Sequence, residues 1–241
     1  MNSEIATQTS SLATSDWVLI CTTLFLGAVA LFVPYLAEII KRNYFAPELK
    51  LEFDLNPPDC HLTRSKGWDS QGNKIDELHY YFRFRVTNVG HSQARRCEAV
   101  VEDFSIADAS GEFKKLPRTP VNLIWGSGYP TEFVDINPGR RFFCDFCNIP
   151  SQKLQALEFA SGKYVNPLDT EDFDLGIILN VKTAFHSQPN RLPAGKYRIG
   201  VAIYSENGKT IKKSFEISWS GVWKNNEDAM FRESVIRVVN V

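Results

Sequence analysis

Cys144 and Cys147, in the run CDFC, stand at the spacing with which two thiolates converge on one metal ion from a tight turn, two further ligands coming from elsewhere. Cys60, His61 and Cys97 are available to complete such a site, and none of them forms a second close pair. The flanking residues RRFF and NI carry the pattern of a strand, and in a strand residues three apart point to opposite faces. Zinc or thiol chemistry is therefore admitted by the spacing and opposed by the context. The competing reading is a set of buried thiols that pack as small apolar groups.

The remaining polar motifs are weaker. Glu206 to Thr210, ENGKT, resembles the end of a phosphate-binding loop, but that loop needs a glycine five residues before Gly208, where Ile203 stands. Asn207-Gly208 lies between two alternating runs and reads instead as a type I′ hairpin turn, in which both residues take positive φ. His61, His79, His91 and His186 are dispersed, and no H-E-x-x-H or G-x-S-x-G places a nucleophile beside a base. The acidic run DTEDFD (169–174) lacks the glycine and the closing glutamate of a calcium loop. No catalytic residue, cofactor site or metal site is assigned, and the chain reads as non-enzymatic.

Two groups of residues suit binding. If residues 80–87 and 95–102 form a hairpin, Arg85 faces Arg96 and Arg83 faces Glu98. A like-charge cross-strand pair is unfavourable unless solvent or an anion intervenes, so Arg83, Arg85 and Arg96 form a candidate contact for a lipid headgroup, a nucleotide or an acidic protein surface. The opposing reading has both long side chains splayed into water, with Glu98 and Glu102 diluting the charge. Near the C-terminus Trp219 continues the phase of Phe215 and Ile217 and belongs to the core, whereas Trp223 has no such phase. Trp223, with Met230 and Phe231, is a candidate partner contact, the alternative being a plug over the end of the domain.

These side chains have to be positioned by strands. In LHYYFRFRVTN, Tyr80, Phe82, Phe84 and Val86 share one face while Tyr81, Arg83, Arg85 and Thr87 share the other. Similar runs occur at 48–55, 94–104, 140–149, 174–183, 196–204, 210–219 and 234–241, and a short helix capped by Ser151 is expected over 151–160. Phe82, Phe84, Val86, Tyr197, Ile199, Val201, Phe215 and Ile217 are the expected core, with Arg83, Arg85, Arg198 and Glu216 outside. Strands without βαβ alternation imply an antiparallel β-sandwich of about eight or nine strands. The segments FRFRVTNVGHSQARRCEAVVED, DINPGRRFFCDF and LPAGKYRIGVAIYSENG resemble the bacterial immunoglobulin-like domains of the cell-adhesion-related class. The resemblance implies an immunoglobulin-like fold and no particular function. Long stretches at 56–77 and 150–173 depart from it as insertions, and the acidic, Asn-rich final strand pair of that class is missing.

The N-terminal region is of a different kind. Trp17 to Ala37 is free of charge over 21 positions, which at about 1.5 Å per residue spans the roughly 30 Å hydrocarbon core of a bilayer. Glu4 and Asp16 precede it without a Lys or Arg, so the basic n-region of a secretory signal is lacking; Lys41, Arg42 and Lys50 follow it. The positive-inside tendency then leaves the N-terminus outside and the large domain in the cytoplasm, the alternative being an anchor in the opposite sense. The expected organisation is a disordered segment 1–16, a transmembrane helix 17–40, a juxtamembrane linker 41–47 and a β-sandwich domain 48–241. A formal net charge of −1 gives no bias toward nucleic acid. The expected protein is a single-pass, membrane-anchored β-sandwich with no cofactor, whose partners are the lipid bilayer and a protein or second copy. The alternatives are a membrane-linked sensor or effector whose sandwich takes an anionic small ligand, and a zinc- or thiol-dependent enzyme.

Overall fold

The computed structural model describes residues 14–68, 72, 74–126, 132–160, 175–183 and 190–239. Most of the expected disordered segment 1–16, the acidic run 169–174, His186 and the greater part of the expected insertion 150–173 lie outside the described residues. The chain divides into two units, Met1–Ala46 and Pro47–Val241.

The first unit holds helix α1 (Thr14–Tyr44). Within it Asp16–Ile40 has a mean hydropathy of 2.2 with none of its side chains buried, and it is long and apolar enough to cross a membrane. The hydroxyls of Thr22 and Thr23 within it are satisfied locally, donating to the carbonyls of Val18 at 2.7 Å and Leu19 at 2.8 Å. Asp16 sits in the first turn, where the helix dipole favours a carboxylate.

The second unit is mainly β. Its strands in chain order are β1 (Leu49–Glu52), β2 (Cys60–Trp68), β3 (Lys74–Asn88), β4 (Ala94–Ala107), β5 (Phe113–Lys115), β6 (Val121–Asn122), β7 (Ile124–Trp125), β8 (Val134–Ile136), β9 (Arg141–Pro150), β10 (Ile177–Leu179), β11 (Arg191–Leu192), β12 (Gly195–Tyr204), β13 (Ile211–Trp219) and β14 (Ser234–Val239), with helices α2 (Gln152–Ala160) and α3 (Glu227–Glu233). They form two antiparallel sheets. One runs β1-β3-β9-β10-β11 with β2 on β3 and β7 on β9; the other runs β14-β13-β12-β4-β5 with β6 and β8 on β4. One core joins them, and its centre is aromatic: Phe215 of β13 meets Phe146 at 4.6 Å and Phe84 at 5.6 Å between ring centroids.

All eight residues expected in the core are buried. Of the four expected outside, Arg198 is exposed, whereas Arg83, Arg85 and Glu216 are half-buried because each has local partners; Glu216 holds both Arg198 and Arg237. The helix at 151–160 forms as Gln152–Ala160, and the Ser151 hydroxyl accepts the Leu154 N–H at 3.3 Å.

The expected β3–β4 hairpin does not form. β3 pairs with β1, β2 and β9, and β4 pairs with β12, so Arg85 does not face Arg96, nor Arg83 Glu98. The reason lies at Asn88, fully buried where β3 ends. Its amide Nδ2 donates to the carbonyls of Ser92 at 2.7 Å and Ile136 at 2.8 Å, and its Oδ1 accepts the N–H of Gly90 at 3.0 Å and of Glu48 at 3.3 Å. Those bonds hold the chain in a crossing between sheets instead of a reversal within one. Asn207-Gly208 is also not a type I′ turn. β12 and β13 do form a hairpin, but their connection is residues 205–210, neither residue takes positive φ, and the Asn207 side chain binds β4's approach, accepting from Arg95 N–H at 2.9 Å and donating to Gln93 O at 2.9 Å.

Residues 56–77, expected as an insertion, supply β2, which pairs with the first half of β3 from Cys60↔Phe82 to Trp68↔Lys74. Beyond the core this ribbon loses one-sided burial, so it carries no apolar alternation to read.

Candidate functional site

With Tyr80, Phe82, Phe84 and Val86 turned inward, β3 presents Tyr81, Arg83 and Arg85 on the outer face of the first sheet. On one side β2 brings His61 opposite Tyr81; on the other β9 brings Asp145 opposite Arg83. His61, Thr63, Tyr81, Arg83, Asp145 and Gly126, just past β7, line an open cleft of about 220 Å³. Gly126 is required by proximity: a Cβ there would stand 2.9 Å from the Asp145 Oδ1.

The two charges in this cleft are neighbours without being a bridge. Arg83 donates from Nε to Pro58 O at 3.0 Å and lays its guanidinium over the Phe143 ring at 4.1 Å, while neither Nη has a hydrogen bond or ion pair among the described residues. Among the described residues the carboxylate of Asp145 receives only the Tyr81 hydroxyl, at 3.5 Å. Burial pushes the pKa of Asp145 up to about 6, against the pull of Arg83 and the Tyr81 hydroxyl. Burial and then Asp145 push the Tyr81 phenol up to about 12. Burial, then Arg83, lowers the pKa of His61, with Glu227 opposing; the His61 ring stacks on Tyr81 at 6.4 Å and an interplanar angle of 20°.

Of the three arginines singled out in the sequence, only Arg83 enters the cleft. Arg85, on the same face, is engaged by Asp54 and lies 3.0 Å from the Oδ2 of Asp59, a contact between charges that is not aligned as a hydrogen bond. Asp59 is fully buried, which raises its pKa, and its Oδ2 accepts the Asp54 N–H at 2.8 Å. Arg85 therefore neutralises a buried loop. Arg96 belongs to the other sheet, at an irregularity of β4 where its φ is +47°; its N–H donates to Asp135 at 2.8 Å and its guanidinium covers Phe133 at 4.3 Å.

The expected aromatic contact separates in the same way. Met230 is fully buried in the core, so it offers no surface to a partner: Asn226 caps α3 through the Ala229 N–H at 3.1 Å and fixes that helix with Met230 inward. Trp223 and Phe231 are half-buried and pack on the Tyr80 ring at 5.0 Å and 5.9 Å, with the Trp223 indole N–H donating to Asn225 at 2.8 Å. Trp219 is core, as expected.

Cys144 and Cys147 both face the core, contrary to the alternation argument. One extra residue on β9, between the pairs Arg83↔Asp145 and Phe82↔Cys147, shifts the phase by one. Burial pushes the thiols of Cys60, Cys144 and Cys147 well up, and that of Cys97 up to about 11, so all four stay protonated and poorly nucleophilic near neutral pH. Among the described residues, no group of three or more His, Cys, Asp or Glu is arranged to hold a metal ion.

Sequence reasoning passed over Asp145 altogether. The available signal was an acidic residue in the outward phase of an otherwise apolar strand, between the two cysteines that drew attention. What the assembled site offers is a cation with a free edge, a carboxyl group that titrates near neutrality and an aromatic wall: equipment for binding. The chain matches no protein family and no curated protein.

Proposed function

We propose that the protein is a single-pass, membrane-anchored binding module without enzymatic activity, whose β domain lies in the cytoplasm and engages a protein partner or a second copy of itself. The observation that carries this reading is the Asp16–Ile40 helix: none of its side chains is buried, and between Asp16 and Glu38 it carries 21 uncharged, mostly apolar residues, a surface that lipid solvates and water does not. Orientation is supported by the absence of Lys and Arg before the span and by Lys41, Arg42 and Lys50 after it. The four cysteines of the β domain, all buried and unpaired, suit a reducing compartment.

An immunoglobulin-like arrangement belongs to the same proposal. β1-β3-β9 in one sheet and β4-β12-β13 in the other follow the order of strands A-B-E and C-F-G, and β7 lies beside β9 as strand D lies beside E. The arrangement supports a fold and leaves the function to the exposed residues.

The test is alkaline carbonate extraction of membranes followed by chemical crosslinking of the full chain. Retention in the membrane pellet with a discrete crosslinked species is the expected result; release into the supernatant removes the anchor, and an exclusively monomeric band removes the association.

A further inference from the structure

We propose that the cleft between β2, β3 and β9 binds a small oxyanion, a carboxylate or a tetrahedral group of the phosphate type, on the free edge of the Arg83 guanidinium, with Asp145 as the gate: ionised it repels the ligand, protonated it donates a hydrogen bond to it. The proposal rests on the reading of the domain as a binding module and gives that module a ligand class.

Arg83 is held as a receptor should be. Its Nε is fixed by Pro58 O and its plane by the Phe143 ring, so the two Nη groups are presented in one orientation with nothing among the described residues bonded to them. A planar fork of N–H donors fits two oxygens of a carboxylate or phosphate group at once. Although Asp145 is the cross-strand partner of Arg83, no ion pair within 4.0 Å joins them among the described residues, so the cation is not already neutralised. Thr63 adds a hydroxyl and His61 a ring N–H to the same cleft.

The gate follows from what surrounds Asp145. Tyr81 and Arg83 face it from β3, His61 and Thr63 lie across the cleft on β2, and Gly126 closes the β7 side with no titratable group. Glu227 of α3 accepts the Leu62 N–H at 2.6 Å behind β2 and opposes the lowering of His61, and His79 packs on Tyr81 at 5.1 Å. Half-buried, Asp145 is pushed up to about 6, so its charge disappears a little below neutrality. If only the protonated form admits the anion, affinity falls roughly 30-fold between about pH 5 and about pH 7.5. Protonation of His61 also favours an anion in acid, so the two groups have to be separated.

Isothermal titration calorimetry on the full-length chain in detergent micelles, with formate as the planar probe and sulfate as the tetrahedral one, separates them; both ions keep their charge over this range. Binding of at least one probe at the lower pH and a loss of roughly 30-fold at the higher pH are expected. Arg83→Gln should weaken binding at least about tenfold at both pH values, and Arg83→Lys, which keeps the charge and loses the fork, should fall between. Asp145→Asn should bring the affinity at the higher pH up to that at the lower, while His61→Gln keeps the wild-type pH dependence. The ion that binds tells a carboxylate ligand from a phosphate-like one. Failure of both probes to bind wild type at the lower pH overturns the proposal whatever the variants do; so does a pH dependence that disappears in His61→Gln and persists in Asp145→Asn. A chain that stays in carbonate-washed membranes and binds neither ion loses this ligand class and keeps the anchor, whereas one that binds and is extracted does the reverse.

Discussion

Asp145 shows how a fold changes the chemistry of one side chain. Its pKa moves from the ordinary 3.8 to about 6 because burial penalises the charge more than Arg83 and Tyr81 favour it. Between those values the folded protein binds more protons at this group than the unfolded chain does, so its contribution to stability is fully present below about pH 4 and is lost as pH rises through about 6. Asp145→Asn removes this dependence. Denaturation of wild type and variant across that range should show the wild type losing about 1–2 kcal/mol relative to the variant as pH rises, after allowance for the solvent that reaches the group. A constant difference would mean that Asp145 is no more buried than a surface carboxylate. Phe84 is a second test at this scale, fully buried between Phe146 and Phe215 at 6.0 Å and 5.6 Å. Phe84→Ala should cost about 3–5 kcal/mol by chemical denaturation. That burial was readable from alternation alone, because a period of two fixes which face a residue occupies. The acidity of Asp145 was not, because it depends on β2 and β7, distant in sequence and close in space.

At the scale of elements, most strand phases and the pairing of β12 with β13 were legible, and the partners of β3 and β4 were not. FRFRVTN and CEAVVED both alternate, and a short link between them invites a hairpin; what sends them to different sheets is the set of bonds made by Asn88 to Ser92, Ile136, Gly90 and Glu48, two of them with distant segments. The same limit applies to CDFC, where a single extra residue against β3 turns both cysteines inward. Asn88→Ala should therefore destabilise far more than an exposed substitution, by about 2–4 kcal/mol, since it leaves buried carbonyls and N–H groups without partners. Urea denaturation measures it. A loss below about 0.5 kcal/mol would mean that the crossing is held by the flanking strands and not by this amide.

For the whole molecule, the two units pose different problems to water. The β unit hides its apolar residues in one core, whereas α1 carries Leu24, Phe25, Leu26, Leu31, Phe32 and Val33 exposed along its span. A helix with such a surface is stable only where something apolar covers it, and its length is enough to cross a bilayer, the cover proposed above. Which side the β unit then occupies depends on the basic residues at the end of the span. Lys41, Arg42 and Lys50 should keep it in the cytoplasm, and a reporter that fluoresces only there should be active when fused after Val241. Replacing Lys41 and Arg42 by Gln and adding two Lys before Trp17 should shift part of the population to the opposite sense, lowering that signal. Activity of a reporter restricted to the oxidising side, in the unaltered chain, would reverse the assignment and set Cys60, Cys97, Cys144 and Cys147 in a compartment where thiols pair. Their burial on separate positions of the core would then have to be what keeps them apart.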